Sequence, residues 1–190
     1  HIASGGIDTL HLSLSSPTSE ILLSGESAII DSEFEEVTRS EHPAIRILEN
    51  GNVGFDRVTA TFSSSATGDL TAIQIDEGGF LRLNESNIDG GSWGNHTGIQ
   101  CYKGTLDLIT TTILGANSSE QTTGLTAEQC NIQIYDSLIT GGGATNTAMG
   151  ISVTESDIYI DTTSTIIGAS ATAPLVAVGL EIDNSGQESS

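Results

Sequence analysis

Positive charge is nearly missing from this chain. Lysine and arginine together number 5 against 25 aspartates and glutamates, and lysine occurs once, as Lys103. The resulting formal charge of −20 argues against nucleic acid or an anionic membrane as a partner, because phosphate would be repelled. It favours solubility, cations or basic partners, and acid-rich, lysine-poor composition suits a secreted or high-salt protein. Long apolar runs are also missing, so no membrane-spanning segment is expected. No basic segment leads into an apolar run, so no signal peptide is expected, and the opening "HIASGG" reads as a processed product or an excised piece of something longer. Cysteine is scarce: Cys101 and Cys130 match neither a disulfide scaffold nor a zinc site. There is no phosphate-cradling loop and no convincing Ser-His-Asp set, and of the four histidines (His1, His11, His42, His96) three fall in or near expected loops.

What is present is a repeat, in a chain of 190 residues that suffices for one domain with a substantial core. An apolar site, strand A, recurs as "VGF" 53–55, "LRL" 81–83, "LDL" 106–108, "IQI" 132–134 and "IYI" 158–160, in steps of 28, 25, 26 and 26. A second, strand C, follows with anchors at Phe62, Ile88, Ile113, Ile139 and Ile166. A third, strand B, reads "IRI" 45–47, "IQI" 73–75, "GIQC" 98–101, "GLTA" 124–127, "GISV" 150–153 and "GLEI" 179–182. Glycines keep the same frame: Gly90, Gly115, Gly141 and Gly168 follow strand C, while Gly98, Gly124, Gly150 and Gly179 precede strand B, where Ala44 and Ala72 stand in earlier coils. Each strand is short and alternates in and out, so none is stable alone. Stacking coils at ~4.8 Å pairs the backbone groups and closes a column of Ile, Leu and Val.

The expected fold is all-β: a single-domain right-handed parallel β-helix, or solenoid, of about six coils of ~26 residues with three short strands each. The regular coils span 44–183, with 184–190 a flexible tail. Residues 1–43 form an irregular first coil, in which "LHLSL" 10–14 reads as strand B, "ILL" 21–23 as strand A and Ile29 as a strand C anchor, before an acidic insertion at 31–43. The pattern resembles the right-handed, pectate-lyase-like β-helix superfamily, which includes polysaccharide lyases and hydrolases, phage tailspikes and surface adhesins. The resemblance lies in the repeat and not in a catalytic motif, so it implies fold more than activity. Handedness follows from the family and from the crossover rule.

Register assigns the outward residues. On strand B they are Arg46, Gln74, Gln100, Thr126, Ser152 and Glu181, then Asp76, Tyr102, Glu128, Thr154 and Asp183. Asp76 and Glu128 fall two coils apart, ~9.6 Å, with Tyr102 between them. Carboxylates at such a spacing beside an aromatic suit an inverting glycosidase; alternation that keeps like charges off adjacent rungs gives the same pattern. On strand A the outward columns pair Arg82 with Asp107 and gather Ile109, Tyr135 and Tyr159 into an apolar patch suited to a sugar or a protein. The lyases of the resembled superfamily use calcium and a basic residue, but Arg46, Arg57, Arg82 and Lys103 do not converge with an acidic cluster.

The insertion carries Asp31, Glu33, Glu35, Glu36 and Glu41 with Arg39 and His42, a composition open to Ca²⁺ or to a plain solvated loop. Register places Cys101 and Cys130 about 10 Å apart, beyond bridging distance, so two free thiols are expected. Threonine is frequent, but its sites also hold Glu, Asp and Ser, too irregular for an ice-binding face. Asn84, Asn95 and Asn117 each begin an N-glycosylation sequon.

Two functions follow as expectations. One is a non-enzymatic extracellular module at a cell or virion surface, an adhesin, spacer or fibre subunit. Its partner is another protein or a glycan, with self-assembly or flanking domains covering the solenoid ends and no nucleic acid or membrane insertion. The other binds or cleaves carbohydrate, tailspike-like, through Gln74, Asp76, Gln100, Tyr102 and Glu128, with Ile109, Tyr135 and Tyr159 as further contacts. No catalytic residue or cofactor is assigned beyond the open possibility of Ca²⁺.

Overall fold

In a computed structural model the chain is a three-sided stack of short parallel strands. The structure describes residues 5–8, 11–13, 20–35, 43–62, 69–90, 92–93, 95–115, 117–118, 121–144, 146–169 and 176–183, and no helix occurs among them. Three seven-stranded sheets form the walls. Sheet A runs from Gly5–Asp8 through Glu26–Ile30, Asn52–Asp56, Phe80–Asn84, Thr105–Ile109 and Asn131–Tyr135 to Asp157–Ile160. Sheet B runs from Ile21–Leu23 through Ile45–Ile47, Asp69–Ile75, Asn95–Tyr102, Gln121–Glu128 and Thr147–Thr154 to Val176–Asp183. Sheet C runs from His11–Ser13 through Glu33–Glu35, Thr59–Thr61, Asn87–Asp89, Thr112–Leu114 and Leu138–Thr140 to Thr165–Ile167. A three-stranded ledge of Ser92–Trp93, Asn117–Ser118 and Gly143–Ala144 flanks the later coils.

The expected register holds over the regular coils. Val53, Leu81, Leu106, Ile132 and Ile158 are successive partners on sheet A. Ile45, Ile73, Ile99, Leu125, Ile151 and Leu180 are successive partners on sheet B. Apart from Leu180, their side chains meet in one continuous core with those of Ile88, Ile113 and Ile139 from sheet C. Each aliphatic gains by leaving water, and each strand gains ladder partners only because the rungs above and below exist.

The corners explain how so little sequence turns so sharply. After five of the seven sheet A strands one residue takes a left-handed conformation: Asp31, Arg57, Glu85, Thr110 and Asp136, with φ between 46 and 53°. The residue that follows is Ser32, Val58, Ser86, Thr111 or Ser137, all buried. Ser86 Oγ accepts from the Val58 amide (3.1 Å) while donating to the Asn84 carbonyl (2.8 Å), and Ser137 does the same between the Thr111 amide (3.0 Å) and the Tyr135 carbonyl (2.7 Å). These hydroxyls satisfy backbone groups that the bend removes from the sheet ladder.

At the corner between sheets C and B the later coils are pinched. A Cβ on Gly124 would lie 2.8 Å from the Gly150 carbonyl oxygen and 2.8 Å from Ile139 Cγ2, so only glycine fits there. In earlier coils buried Ala44 and Ala72 hold this place.

Three expectations need correction. First, the early strands each sit one wall earlier than expected along the chain's course from sheet A to C to B. Ile21–Leu23 pairs with Ile45–Ile47 on sheet B, Ile29 lies opposite Phe55 on sheet A, and His11–Ser13 pairs with Glu33–Glu35 on sheet C. The acidic "insertion" therefore begins with a regular strand, Glu33–Glu35, whose central Phe34 is buried over Ala60 and tilted against Phe55 at 6.0 Å. Flanking acids hide the in-out alternation. The rest of that stretch, 36–42, lies outside the described residues.

Second, the partner of Ile88 is Ala60 and not Phe62, whose amide instead bonds the Asp89 carbonyl (2.9 Å). Phe62 thus underlies Gly90 in the glycine column. Third, Cys101 and Cys130 form a disulfide, with Cα atoms 6.4 Å apart. The left-handed residue Gln129 (φ 55°) turns Cys130 back over the core edge, and counting along an extended strand overlooks that turn.

Candidate functional site

The sequence-selected residues fall into two groups on different walls. Gln74, Asp76, Gln100, Tyr102 and Glu128 belong to the sheet B side, while Ile109, Tyr135 and Tyr159 stand on sheet A. Within the first group the expected columns are present: Arg46, Gln74, Gln100, Thr126, Ser152 and Glu181 are successive partners, and Tyr102 pairs with Glu128.

The carboxylate of Asp76 is occupied. Arg46 Nε donates to its Oδ2 at 2.8 Å, and Gln74 Nε2 donates to its Oδ1 at 2.9 Å. Both oxygens of this carboxylate are thus taken up by neighbouring side chains of the same wall. Arg46 stands in the column visible in the sequence. The overlooked signal was its reach, since a guanidinium one rung below extends to the outward position two residues along.

Tyr102 is exposed, and the Lys103 ammonium lies 5.1 Å from its ring centroid. Lys103 is held above its usual pKa by hydrogen bonding to Tyr102, then by the charges of Glu77, Tyr102 and Glu128. Glu128 is exposed at the far side of this group. Gln100 Oε1 accepts a long hydrogen bond from Thr71 Oγ1 (3.4 Å). The arrangement is a polar, internally hydrogen-bonded surface in which cation and aromatic meet across a corner.

On sheet A the tyrosines do come together. The rings of Tyr135 and Tyr159 lie 5.4 Å apart at a 43° tilt, and Tyr135 donates its hydroxyl to Gln133 Oε1 (3.1 Å). Half-buried Ile109 is the rung partner of Tyr135, and Tyr159 is 55% exposed. Below them Arg82 pairs with Asp107 at 3.1 Å, and its guanidinium lies 5.8 Å from the Phe80 ring centroid. An aromatic pair flanked by amides and carboxylates has the chemistry to lie against a sugar face or a protein surface.

The residues considered for calcium divide differently. Asp31 is clamped by Arg57, Nε to Oδ1 at 2.5 Å and Nη2 to Oδ2 at 3.1 Å, and this hydrogen bonding holds its carboxyl below the usual range. Arg57 also reaches Asp56 Oδ2 (2.5 Å). Glu33 and Glu35 lie on a sheet C strand, and Glu36, Arg39, Glu41 and His42 lie outside the described residues. No three metal-ligating side chains gather among the described residues.

Asn84, the first residue of one sequon, donates its amide to Asp56 Oδ1 (2.6 Å), and the Ser86 hydroxyl that completes the sequon is buried in the corner ladder. That asparagine is therefore engaged and poorly presented to an enzyme. His96, expected near a loop, is buried within the Asn95–Tyr102 strand, and desolvation lowers its pKa to about 3. No protein-family model matches the chain, and neither a curated protein nor a solved structure matches it.

Proposed function

We propose that this chain is a non-enzymatic structural and display module of an extracellular cell or virion surface, a spacer, adhesin or fibre component. The observation that carries this reading is the commitment of three arginines to outward carboxylates on neighbouring rungs. Asp76 is held by Arg46 and Gln74, Asp31 by Arg57, and Asp107 by Arg82. Acid–base catalysis needs a carboxyl whose protonation is poised by its surroundings, whereas these pairs fasten successive rungs together. The Cys101–Cys130 disulfide adds support for an oxidising compartment, where such bonds persist.

The finer assignment to the right-handed, pectate-lyase-like superfamily belongs to the same proposal. It is supported by three parallel walls and a repeat near 26 residues, together with the right-handed preference of parallel crossovers.

A second reading has one specific observation in its favour. The Tyr135–Tyr159 pair beside Ile109 suits glycan binding in the manner of a tailspike. Screening neutral and acidic glycans for both retention and cleavage separates the readings. The display module is expected to release no reducing sugar. Turnover that disappears in both Asp76→Asn and Glu128→Gln would overturn it, and retention without turnover that disappears in Tyr159→Ala would define it as a glycan-binding display module.

A further inference from the structure

The corner that leads from sheet B into sheet A recurs along the stack and changes composition at one rung. The residues just before the sheet A strands are Gly51, Gly79, Gly104, Cys130 and Ser156. The inward sheet B residues ahead of this corner form one column of successive partners: Ile47, Ile75, Cys101, Ala127 and Val153. Glycine goes with isoleucine. A Cβ on Gly79 would lie 3.0 Å from Ile75 Cγ2, and one on Gly104 would lie 2.9 Å from the same methyl. Where the column exchanges isoleucine for Cys101, the corner one rung on exchanges glycine for Cys130. The disulfide therefore takes the place that an isoleucine methyl fills beside Gly104.

In that place both sulfurs are covered. Cys101 is 1% exposed and Cys130 3%. The corner is also bonded to the rungs on both sides. The Gly104 amide donates to Cys130 Sγ at 3.4 Å, and the Cys130 carbonyl accepts from the Asp157 amide at 2.9 Å. Ser156 Oγ accepts from the Cys130 amide (3.0 Å) while donating to the Thr154 carbonyl (2.8 Å).

Thiol–disulfide exchange needs a thiolate to reach one sulfur, in line with the bond, while the other sulfur leaves. In-line attack on Cys101 would come through the core, where its column neighbours Ile75 and Ala127 are buried. Attack on Cys130 would expel the Cys101 sulfur into that aliphatic interior, an apolar setting in which a thiolate is a poor leaving group. Stacked rungs thus oppose both routes.

We infer that the Cys101–Cys130 bond is a sheltered redox latch, closed to low-molecular-weight dithiols while the rungs are stacked and released when the Gln129–Cys130 corner lifts from its neighbours. Once it lifts, a dithiol sulfur bonds to one cysteine, and the other cysteine leaves as a thiolate that takes a proton from water. The second dithiol sulfur then displaces the first cysteine and closes a cyclic disulfide. Two electrons pass to the protein, and the dithiol is oxidised. The latch couples reduction to local opening of one corner. It goes beyond the display reading and does not depend on what the outer walls bind.

The test follows reduction of the whole chain by dithiothreitol, with free thiols alkylated at intervals and counted by mass. The folded chain is expected to react about a hundredfold more slowly than the chain unfolded in guanidinium. Ser156→Ala removes the hydroxyl that holds the Cys130 amide and should speed reduction of the folded chain about fivefold. Ser86→Ala removes the same two-way hydroxyl from the Val58 amide at a distant corner and should leave the rate within about twofold. Equal acceleration by both variants would mean that reduction waits on unfolding of the whole chain, and would overturn the local gate. Reduction of the folded parent at close to the unfolded rate would overturn the shelter. Glycan retention and turnover are read on unreduced protein, so this inference and the proposed function fail separately.

Discussion

The rungs up to Lys103 carry all the lysine and arginine of the chain, and the rungs beyond carry none. In the first region the outer walls are tied rung to rung by guanidinium–carboxylate pairs, Arg46–Asp76 and Arg57–Asp31, and the last such pair, Arg82–Asp107, reaches across into the second. The core of the first region holds aromatic rings, Phe34, Phe55 and Phe62, and its sheet C to sheet B corner is lined by Ala44 and Ala72 before the column turns to glycine at Gly98. In the second region the core is almost wholly aliphatic and that corner closes on glycine. Rung-to-rung ties there are hydroxyls and neutral amides, such as Ser156 Oγ accepting from the Cys130 amide and Gln129 donating to Glu155. Asp161 caps the bend at Thr163 and Ser164, and its hydrogen bonds, that from the Ser164 hydroxyl foremost, hold its pKa down to about 2. One parallel architecture thus tolerates two ways of fastening its outer walls, because the inward columns carry the repeat and exposed ion pairs add only ~0–1 kcal/mol each.

The disulfide sits at the seam between these regions, joining a strand of the rung that contains Lys103 to the corner of the next. Its sequence separation is 29 residues, and closing a loop of that size restricts the unfolded chain by ~3–4 kcal/mol. Cys101→Ala with Cys130→Ala is therefore expected to lower unfolding free energy by about that amount, read as a shift of the urea midpoint. Hydrogen exchange should show the rungs beyond 104 opening first, since the staple no longer ties them to the aromatic-cored region. Uniform acceleration across all rungs would mean that the seam has no mechanical meaning.

The pinched corner gives the next largest effect. Gly124→Ala places a methyl against the Gly150 and Thr140 carbonyl oxygens, each 2.8 Å from the new Cβ. Because those atoms are backbone, relief requires moving a rung, at about 2–3 kcal/mol. The same column already accommodates alanine at Ala72 in the earlier region. A thermal melt of Gly124→Ala indistinguishable from the parent would erase the distinction between the two corners.

The difference between the regions also explains what could be read from sequence. Beyond residue 44 the anchors stand at nearly constant spacing, and aliphatic columns such as Leu106, Ile132 and Ile158 are partners as expected. The early rungs were legible as strands but assigned to the wrong walls, because Phe34 is flanked by Glu33 and Glu35 and the alternation is carried by one residue. The disulfide escaped because a left-handed corner residue without glycine leaves no mark in the sequence: Gln129, Lys103 and Glu155 all adopt it. Of the outward residues, the columns and the Arg82–Asp107 pair were legible, and the Arg46–Asp76 pair was not. Register places Asp76 beside Tyr102, but the length and charge of Arg46 decide where that carboxylate points.

His96 gives the smallest of these effects and bears on the charge division itself. It lies two residues before Gly98, buried where the pinch begins, with a pKa of about 3 set by desolvation. The folded form therefore stays neutral there while the unfolded chain protonates near pH 6.5. A histidine whose folded pKa is lowered contributes its full share of stability above pH 6.5, and that share declines as pH falls toward 3. At pH 5 the expected loss is about 2 kcal/mol, one and a half pH units at ~1.4 kcal/mol each. The lowered carboxyls of Asp31 and Asp161 have an ordinary value of 3.8, so their own losses fall mainly below this window. Urea unfolding at pH 7 and pH 5 is expected to show a drop of about that size that largely disappears in His96→Leu. If the parent and the variant lost stability equally, His96 would be taking up a proton in the folded state, and a buried cation would stand at the seam where the structure places a neutral ring.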